Sequence, residues 1–289
     1  MQFLNIISEQ LLGEGIIITP LTKATAVSGG CINDCFKIEN QHQSFFVKIN
    51  SNKAYPNMFA AEVKGLDLLR ESQTIHIPKV IKHFDINQNS FLVLEWVEKD
   101  AVTKEYWSDF GNQLAGLHQI SSDDFGLQHD NYIGSLRQLN SFRKDWHVFF
   151  LENRLIPQLE LGIQNGWTSG SIFKHAEQMA KVVEDEFPKE PPALLHGDLW
   201  SGNYLIGPKG NVYLIDPAVY FGHREMEIAF TKMFGGFSSE FYEAYHEKFP
   251  LSADFHKRIS IHQLYPNLVH ANLFGGHYIA ECVEILRKY

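Results

Sequence analysis

At 289 residues the chain can bury a sizeable core, and 44% hydrophobic with 20% charged residues and no low-complexity tract exclude a disordered polymer. The formal charge of −9, with no run of Lys and Arg, sets a field that repels phosphates and argues against nucleic acid as a partner. No stretch approaches the roughly 18 apolar residues that cross a bilayer, and Met1 to Ile18 lacks a basic start and a cleavage site, so a cytoplasmic chain with no membrane partner is expected.

From Ile16 to Ile49 the residues alternate and are rich in β-branched and aromatic types, which predicts strands broken at Ser28-Gly29-Gly30 and at Glu39-Asn40-Gln41-His42. Met58 to Glu71 changes to helical spacing, with Phe59, Val63, Leu66 and Leu69 in step. Val80 to Phe84 and Ser90 to Trp96 return to strand character around Asn87-Gln88-Asn89. Helices are then predicted over Trp107 to Gln119, Asn140 to Leu161 with a break near Pro157, and Ser171 to Phe187. A hairpin interrupts them, from Asn203 to Ile206 and from Asn211 to Ile215, before further helices from Arg224. The order implies an α+β chain with a small β-rich lobe over residues 1–99 and a larger, mainly helical lobe over 100–289, divided between Asp100 and Tyr106.

The strongest chemical pattern is His196-Gly197-Asp198-Leu199-Trp200-Ser201-Gly202-Asn203, followed by the hairpin and by Asp216-Pro217-Ala218. Phosphoryl transfer needs an acceptor for the proton of the attacking hydroxyl and oxygen ligands for magnesium on the nucleotide phosphates. Asp198 supplies the first, and Asn203 and Asp216, at the two open ends of one hairpin, supply the second. The bland alternative makes Asp198 a helix cap and Asp216 a strand terminator.

Upstream, Gly29 and Gly30 sit between two predicted strands, either as a plain hairpin turn or as a loop whose bare backbone approaches phosphate. Lys48 lies inside the apolar strand Phe45-Phe46-Val47-Lys48-Ile49, either facing solvent or buried against a counter-charge, for which Glu62 on the next helix is the best candidate. Phe91 to Val97 ends where the lobes meet, so backbone groups around Glu95 and Val97 either receive an adenine edge or belong to a buried strand.

These residues together resemble the fructosamine kinase (ketosamine kinase) family of the protein-kinase-like superfamily, which also holds aminoglycoside phosphotransferases and choline kinases. The likeness spans nearly the whole chain. It rests on the loop from His196 to Asn203 with Trp200, on Phe125-Gly126-Leu127 with Asp130-Asn131-Tyr132-Ile133-Gly134, and on Gln138, Asn140, Trp146, Phe149-Phe150 and Arg154-Leu155. Asp216-Pro217-Ala218 stands where protein kinases carry Asp-Phe-Gly, and no Ala-Pro-Glu segment follows.

The resemblance implies a bilobal protein-kinase-like fold and ATP-dependent phosphorylation of a ketosamine, typically on the third hydroxyl of its sugar, with Mg2+ as cofactor and deglycation of a small molecule or glycated protein as the role. Asp198 would be the catalytic base, Asn203 and Asp216 the metal ligands, and Gly29, Gly30, Lys48, Glu62, Glu95 and Val97 the nucleotide-binding set. For the cationic amine end of the substrate, Asp130, Trp146 and Trp200 are the candidates, the tryptophans being equally suited to core packing.

Three cysteines, Cys31, Cys35 and Cys282, do not make a secreted disulfide framework, and the Cys31 to Cys35 spacing has no second pair to complete a zinc site. Cys31 is either an oxidisable thiol among the amides of the phosphate loop or simply a small residue in a tight turn. Rival readings are a kinase of another amine-bearing alcohol, of aminoglycoside or choline type, and a non-catalytic nucleotide-binding regulator. Monomer and homodimer stay open.

Overall fold

The computed structural model describes residues 2–27 and 32–289. Gly29, Gly30 and Cys31 lie outside the described residues. Helix α1 (Gln2–Gly13) precedes strands β1 (Lys23–Ala26), β2 (Asp34–Glu39) and β3 (Ser44–Ser51), then α2 (Met58–Glu71), β4 (Val80–Ile86) and β5 (Asn89–Glu95). The strands form one antiparallel sheet in the order β1-β2-β3-β5-β4.

Period-two alternation decides which face each side chain takes. Phe45, Val47, Phe91 and Val93 pack with Ile7 and Leu11 of α1, whereas Leu92 and Leu94 pack with Met58, Phe59, Leu66 and Leu69 of α2. Lys48, one residue on from Val47, therefore falls on the α2 face. Helix α1, with apolar residues at positions 3, 4, 6, 7 and 11, was not foreseen as a helix; it closes the opposite face, and fully burying Ile7 and Leu11 contributes about 1.5–3 kcal/mol each.

A ten-residue link leads to α3 (Tyr106–His118) and the short hairpin β6 (Asn131–Ile133) and β7 (Leu136–Gln138). Next come α4 (Trp146–Phe149), a π-helical turn over Phe150–Leu155, and α5 (Ile156–Gln164). The helix predicted from Asn140 thus begins six residues later, and its break is the widened turn before Pro157. Proline has no N–H for the carbonyl of Asn153, which instead accepts from Arg154 Nη1 at 3.0 Å. Then follow α6 (Ile172–Glu186), β8 (Ala193–Leu195), β9 (Tyr204–Ile206), β10 (Val212–Leu214), β11 (Tyr220–Gly222), α7 (Arg224–Thr231), α8 (Ser239–Lys248), α9 (Phe255–Phe274) and α10 (His277–Leu286).

The apolar interior does not divide at residue 100. One cluster joins Phe59, Leu66 and Leu94 to Tyr106, Phe110, Leu194, Leu199 and Leu214. Backbone bonds cross as well: Leu214 N donates to His76 O at 3.0 Å, and Asp100 N to Ile206 O at 3.0 Å.

Helices α3 and α8 meet at Gly111, where an added Cβ would lie 2.2 Å from the carbonyl oxygen of Phe241 and 2.9 Å from Tyr245 N. Alanine is the better helix former by about 1 kcal/mol, but backbone cannot yield as a side chain does, so overpacking dominates. Gly111→Ala is expected to destabilise the protein by about 1–3 kcal/mol in denaturant titration; an unchanged or raised midpoint would contradict this packing.

Candidate active site

Two antiparallel strand pairs bring the acidic residues together. β8 pairs with β11, and β9 with β10, so the end of β8, the start of β9, the end of β10 and the start of β11 open on one side. Each ladder gains one rung toward that side: Ala218 N donates to His196 O at 2.9 Å and Ile215 N to Asn203 O at 3.0 Å. Asp198, Asn203 and Asp216 emerge from these rungs into one cleft, which Lys48 and Glu62 also line.

Lys48 is 2% exposed and donates to Glu62 Oε1 at 2.6 Å and to Asp216 Oδ1 at 2.7 Å. Burial alone would lower its pKa, but the charges of Asp216 and Glu62 hold it above the ordinary lysine value. Burial pushes the Glu62 carboxyl up, with Lys48 opposing. The solvent-facing alternative for Lys48 is thereby excluded.

Asn203 donates through Nδ2 to the Asp198 carbonyl at 2.8 Å and to Asp198 Oδ2 at 2.9 Å, which leaves its Oδ1 as a ligand atom. Asp216 adopts φ 55°, a left-handed conformation that Asp tolerates better than most residues and that costs roughly 1–2 kcal/mol. Burial, and next the neighbouring Asp216 charge, push Asp198 up to about 8 against the pull of the Asn203 hydrogen bond. Asp216 and Asn203 Oδ1 form an oxygen donor pair in a cluster with more carboxylates than ammonium groups, which suits a hard divalent cation such as magnesium.

The ring of His196 ties the two acidic segments. Its Nδ1 accepts from Asp198 N at 3.3 Å and its Nε2–H donates to Ile215 O at 2.9 Å, a neutral tautomer favoured by complete burial, which lowers the pKa. Gly197 has φ +85°, and a Cβ there would sit 2.0 Å from Ala218 O, so only glycine lets the loop approach the Asp216 segment.

Trp200 lines the cleft, with its ring against Gly202 and edge-on to Phe234 at 5.9 Å. Two of the expected substrate residues lie elsewhere. Trp146 is 7% exposed and packs on Phe125, Phe149, Phe150 and His223 at 5.4 to 5.8 Å, because positions 146, 149 and 150 share the core-facing stripe of their helix. Asp130 accepts from Arg137 Nη2 at 2.8 Å and from Asn140 N at 2.9 Å, which commits both oxygens to the β6–β7 hairpin; its neighbours Asn131, Tyr132 and Gly134 reach the cleft instead. Glu95 closes β5, its N–H donating to Lys79 O, and Val97 is buried against Gly207; neither side chain enters this cleft.

Reading the sequence missed several cleft and support residues. Val269, His270, Leu273 and Phe274 of α9 form one wall, and nothing but helical spacing marks them. Glu225 and Glu227 do carry a signal, being acids in the otherwise apolar stretch Glu225-Met226-Glu227-Ile228-Ala229-Phe230, and both are buried. Among the described residues His223, Glu225 and His262 lie close enough to suggest a metal site. Arg258 already forks both Glu225 oxygens at 2.8 and 2.6 Å, and His223 is occupied by Glu225 N and Pro188 O, so both are committed to structural hydrogen bonds, while His262 meets Glu225 through Nε2 at 3.1 Å and its buried Nδ1 has no partner.

The family model for fructosamine kinase matches residues 5–289. A probable ketoamine kinase of Vibrio parahaemolyticus is 38% identical over 284 residues, covering 98% of this chain and 97% of that protein. A chloroplastic protein-ribulosamine 3-kinase of Arabidopsis thaliana is 34% identical over 290 residues, covering 98% of this chain and 87% of its own. The crystal structure of a candidate fructosamine-3-kinase from Haemophilus somnus superposes with a TM-score of 0.88 at 30% identity, covering 98% of this chain and 96% of the other. By fold and by sequence along nearly its full length, the chain belongs to the fructosamine kinase family and is an ATP-dependent phosphotransferase.

Proposed function

We propose that this chain transfers the γ-phosphoryl group of ATP to the third hydroxyl of the sugar in a ketosamine, with Asp198 as base. The observation that carries this reading is the meeting of Asp198, Asn203, Asp216 and the Lys48–Glu62 pair in one cleft. Asn203 and Asp216 would hold magnesium, which when bound would supply neutralisation of phosphate charge.

Lys48, freed in part from Asp216, pairs with phosphate while Glu62 keeps its ammonium in place. Asp198 hydrogen-bonds the sugar hydroxyl, fixes it in line with the phosphorus and takes its proton as the new O–P bond forms and the bond from the γ-phosphorus to the bridging oxygen breaks, with ADP as the leaving group. The backbone around Glu95 and Val97 takes the adenine, and Trp200 offers its ring face to the amine-bearing end of the acceptor. Phosphorylation beside the ketoamine carbonyl labilises the adduct, so the role is deglycation of small amines or of glycated protein.

Magnesium-dependent ATP consumption with a panel of ribulosamines, fructosamines and an aminoglycoside tests this directly. Turnover on the ketosamines is expected to fall on the order of 10²- to 10⁴-fold in Asp198→Asn, and chelation of magnesium should abolish it. Turnover confined to the aminoglycoside, or indifferent to Asp198, would overturn the assignment.

The raised pKa of Asp198 has a further consequence for the nucleotide-free protein. A carboxyl that titrates at about 8 when folded and at about 3.9 when unfolded contributes stability that is fully present below the lower value and is lost as pH rises through the higher. Asp198→Asn cannot ionise. Its melting temperature should therefore exceed that of the parent by a margin that widens from pH 6 to pH 9; parallel curves would show that Asp198 titrates normally.

A further inference from the structure

We propose that Arg154 is a positioning residue for the acceptor side of the cleft, acting through a relay of buried amides on the β6–β7 hairpin; this rests on the phosphotransfer reading given above. With the adenine assigned to the backbone around Glu95 and Val97, whose side chains stay out of the cleft, the wall of Tyr132, Ile133 and Gly134 is left to the acceptor. Gly134 seats that wall against α9: at φ +59° a Cβ there would lie 2.9 Å from Leu273 Cδ1.

Arg154 is 0% exposed, and every hydrogen-bond partner it has among the described residues is neutral. Such a charge is costly to bury, and two features offset it. The guanidinium lies over the rings of Tyr220 at 4.0 Å, Phe149 at 4.5 Å and Tyr265 at 5.2 Å. It also donates through Nη1 to Leu139 O and Asn153 O, and through Nη2 to Asn140 Oδ1 at 2.9 Å.

A guanidinium can only donate, so Asn140 must meet it with its oxygen and turn its N–H groups the other way. Those groups donate to His129 O at 3.1 Å and to Asn131 Oδ1 at 3.0 Å. Asn131 Oδ1 also accepts from Gln138 Nε2 at 2.8 Å, which leaves Asn131 Nδ2 to donate to Val219 O at 2.8 Å. Gln138 Nε2 reaches Ala218 O at 2.9 Å as well, and Tyr265 donates its hydroxyl to Gln138 Oε1 at 2.8 Å. Asn131, Gln138 and Asn140 are all buried, so water cannot stand in for these partners. The relay pins both strands of the hairpin onto Ala218 and Val219, just beyond Asp216, and Arg154 sets the direction in which its amides point.

Arg154→Lys keeps the charge but cannot hold Leu139 O and Asn140 Oδ1 in one rigid fork. Asn140→Asp gives the guanidinium a counter-charge, yet turns an oxygen toward Asn131 Oδ1 and His129 O. In both variants the KM for ketosamine should rise about 10-fold or more, while the KM for ATP stays within about threefold of the parent. Hydrogen exchange followed by mass spectrometry on the full nucleotide-free chain supplies a readout that needs no turnover. Exchange should rise at residues 131–138 while α2 and the five-stranded sheet keep parental protection.

Equal rises in the two KM values, or a fall in turnover that only follows the folded fraction with both KM values unchanged, would make Arg154 a structural cation alone and overturn the proposal. Should neither variant fold, Tyr265→Phe, which removes only the hydroxyl that holds Gln138, decides: a parental ketosamine KM with parental exchange at 131–138 overturns the proposal. A parent that turns over no ketosamine refutes the functional assignment instead. Raised exchange confined to 131–138 would then still support the hold of Arg154 on the hairpin, and parental exchange there would overturn it.

Discussion

A buried ammonium is the constraint around which this molecule is organised. Lys48 cannot stay charged at 2% exposure without carboxylates in contact, and it has two, from elements far apart in sequence. Glu62 requires α2 to lie on one face of the sheet, and Asp216 requires the β9–β10 hairpin to end opposite that face. Removing one partner of such a pair costs about 3–5 kcal/mol, because it strands a charge rather than merely losing a contact. With α1 closing the other face, the sheet has only one way to present its lysine. Two acids for one base also leave the cleft short of positive charge, which is the electrostatic condition for attracting a cation with its nucleotide.

The parts legible in the sequence were those set by local pattern. Met58 and Glu71 bound α2 as the change of period indicated, and the hairpin from 203 to 215 carries its polar ends where alternation put them. Lys48 and Glu62 could be paired on paper because a lone charge in an apolar strand needs a partner. What escaped were features that depend on which face a residue turns. Trp146 looks as suitable for a cationic ligand as Trp200, yet 146, 149 and 150 point inward as a stripe while Trp200 rides on a loop. Asp130 stands next to a residue of the cleft, but its oxygens close the base of the β6–β7 hairpin.

Pairings remote in sequence were equally hidden. β8 and β11 are three residues each and separated by a hairpin, so neither reads as a strand alone. The charged residues of α7 show the same limit. Arg224, Glu225 and Glu227 make that helix look half-exposed, whereas every residue in it is buried and each charge is matched, by Glu190, Arg258 and His118 respectively. Composition reports charges; only the fold reports their partners.

The cluster that runs from Phe59 and Leu94 into Phe110, Leu199 and Leu214 has a consequence for how the chain behaves as a polymer. A sheet with its helices is commonly thought of as a module that could be cut out or exchanged among kinases. Here the cut would lay bare the underside of α2 and β5 on one piece and the floor beneath the catalytic loop on the other. The two pieces would be sticky rather than stable, and melting of the sheet would pull the catalytic loop with it in a single cooperative event. Variation inherited by one half is therefore screened by the other, so grafting a new nucleotide-binding half onto this catalytic half would demand a matched set of interior residues, not merely a compatible link.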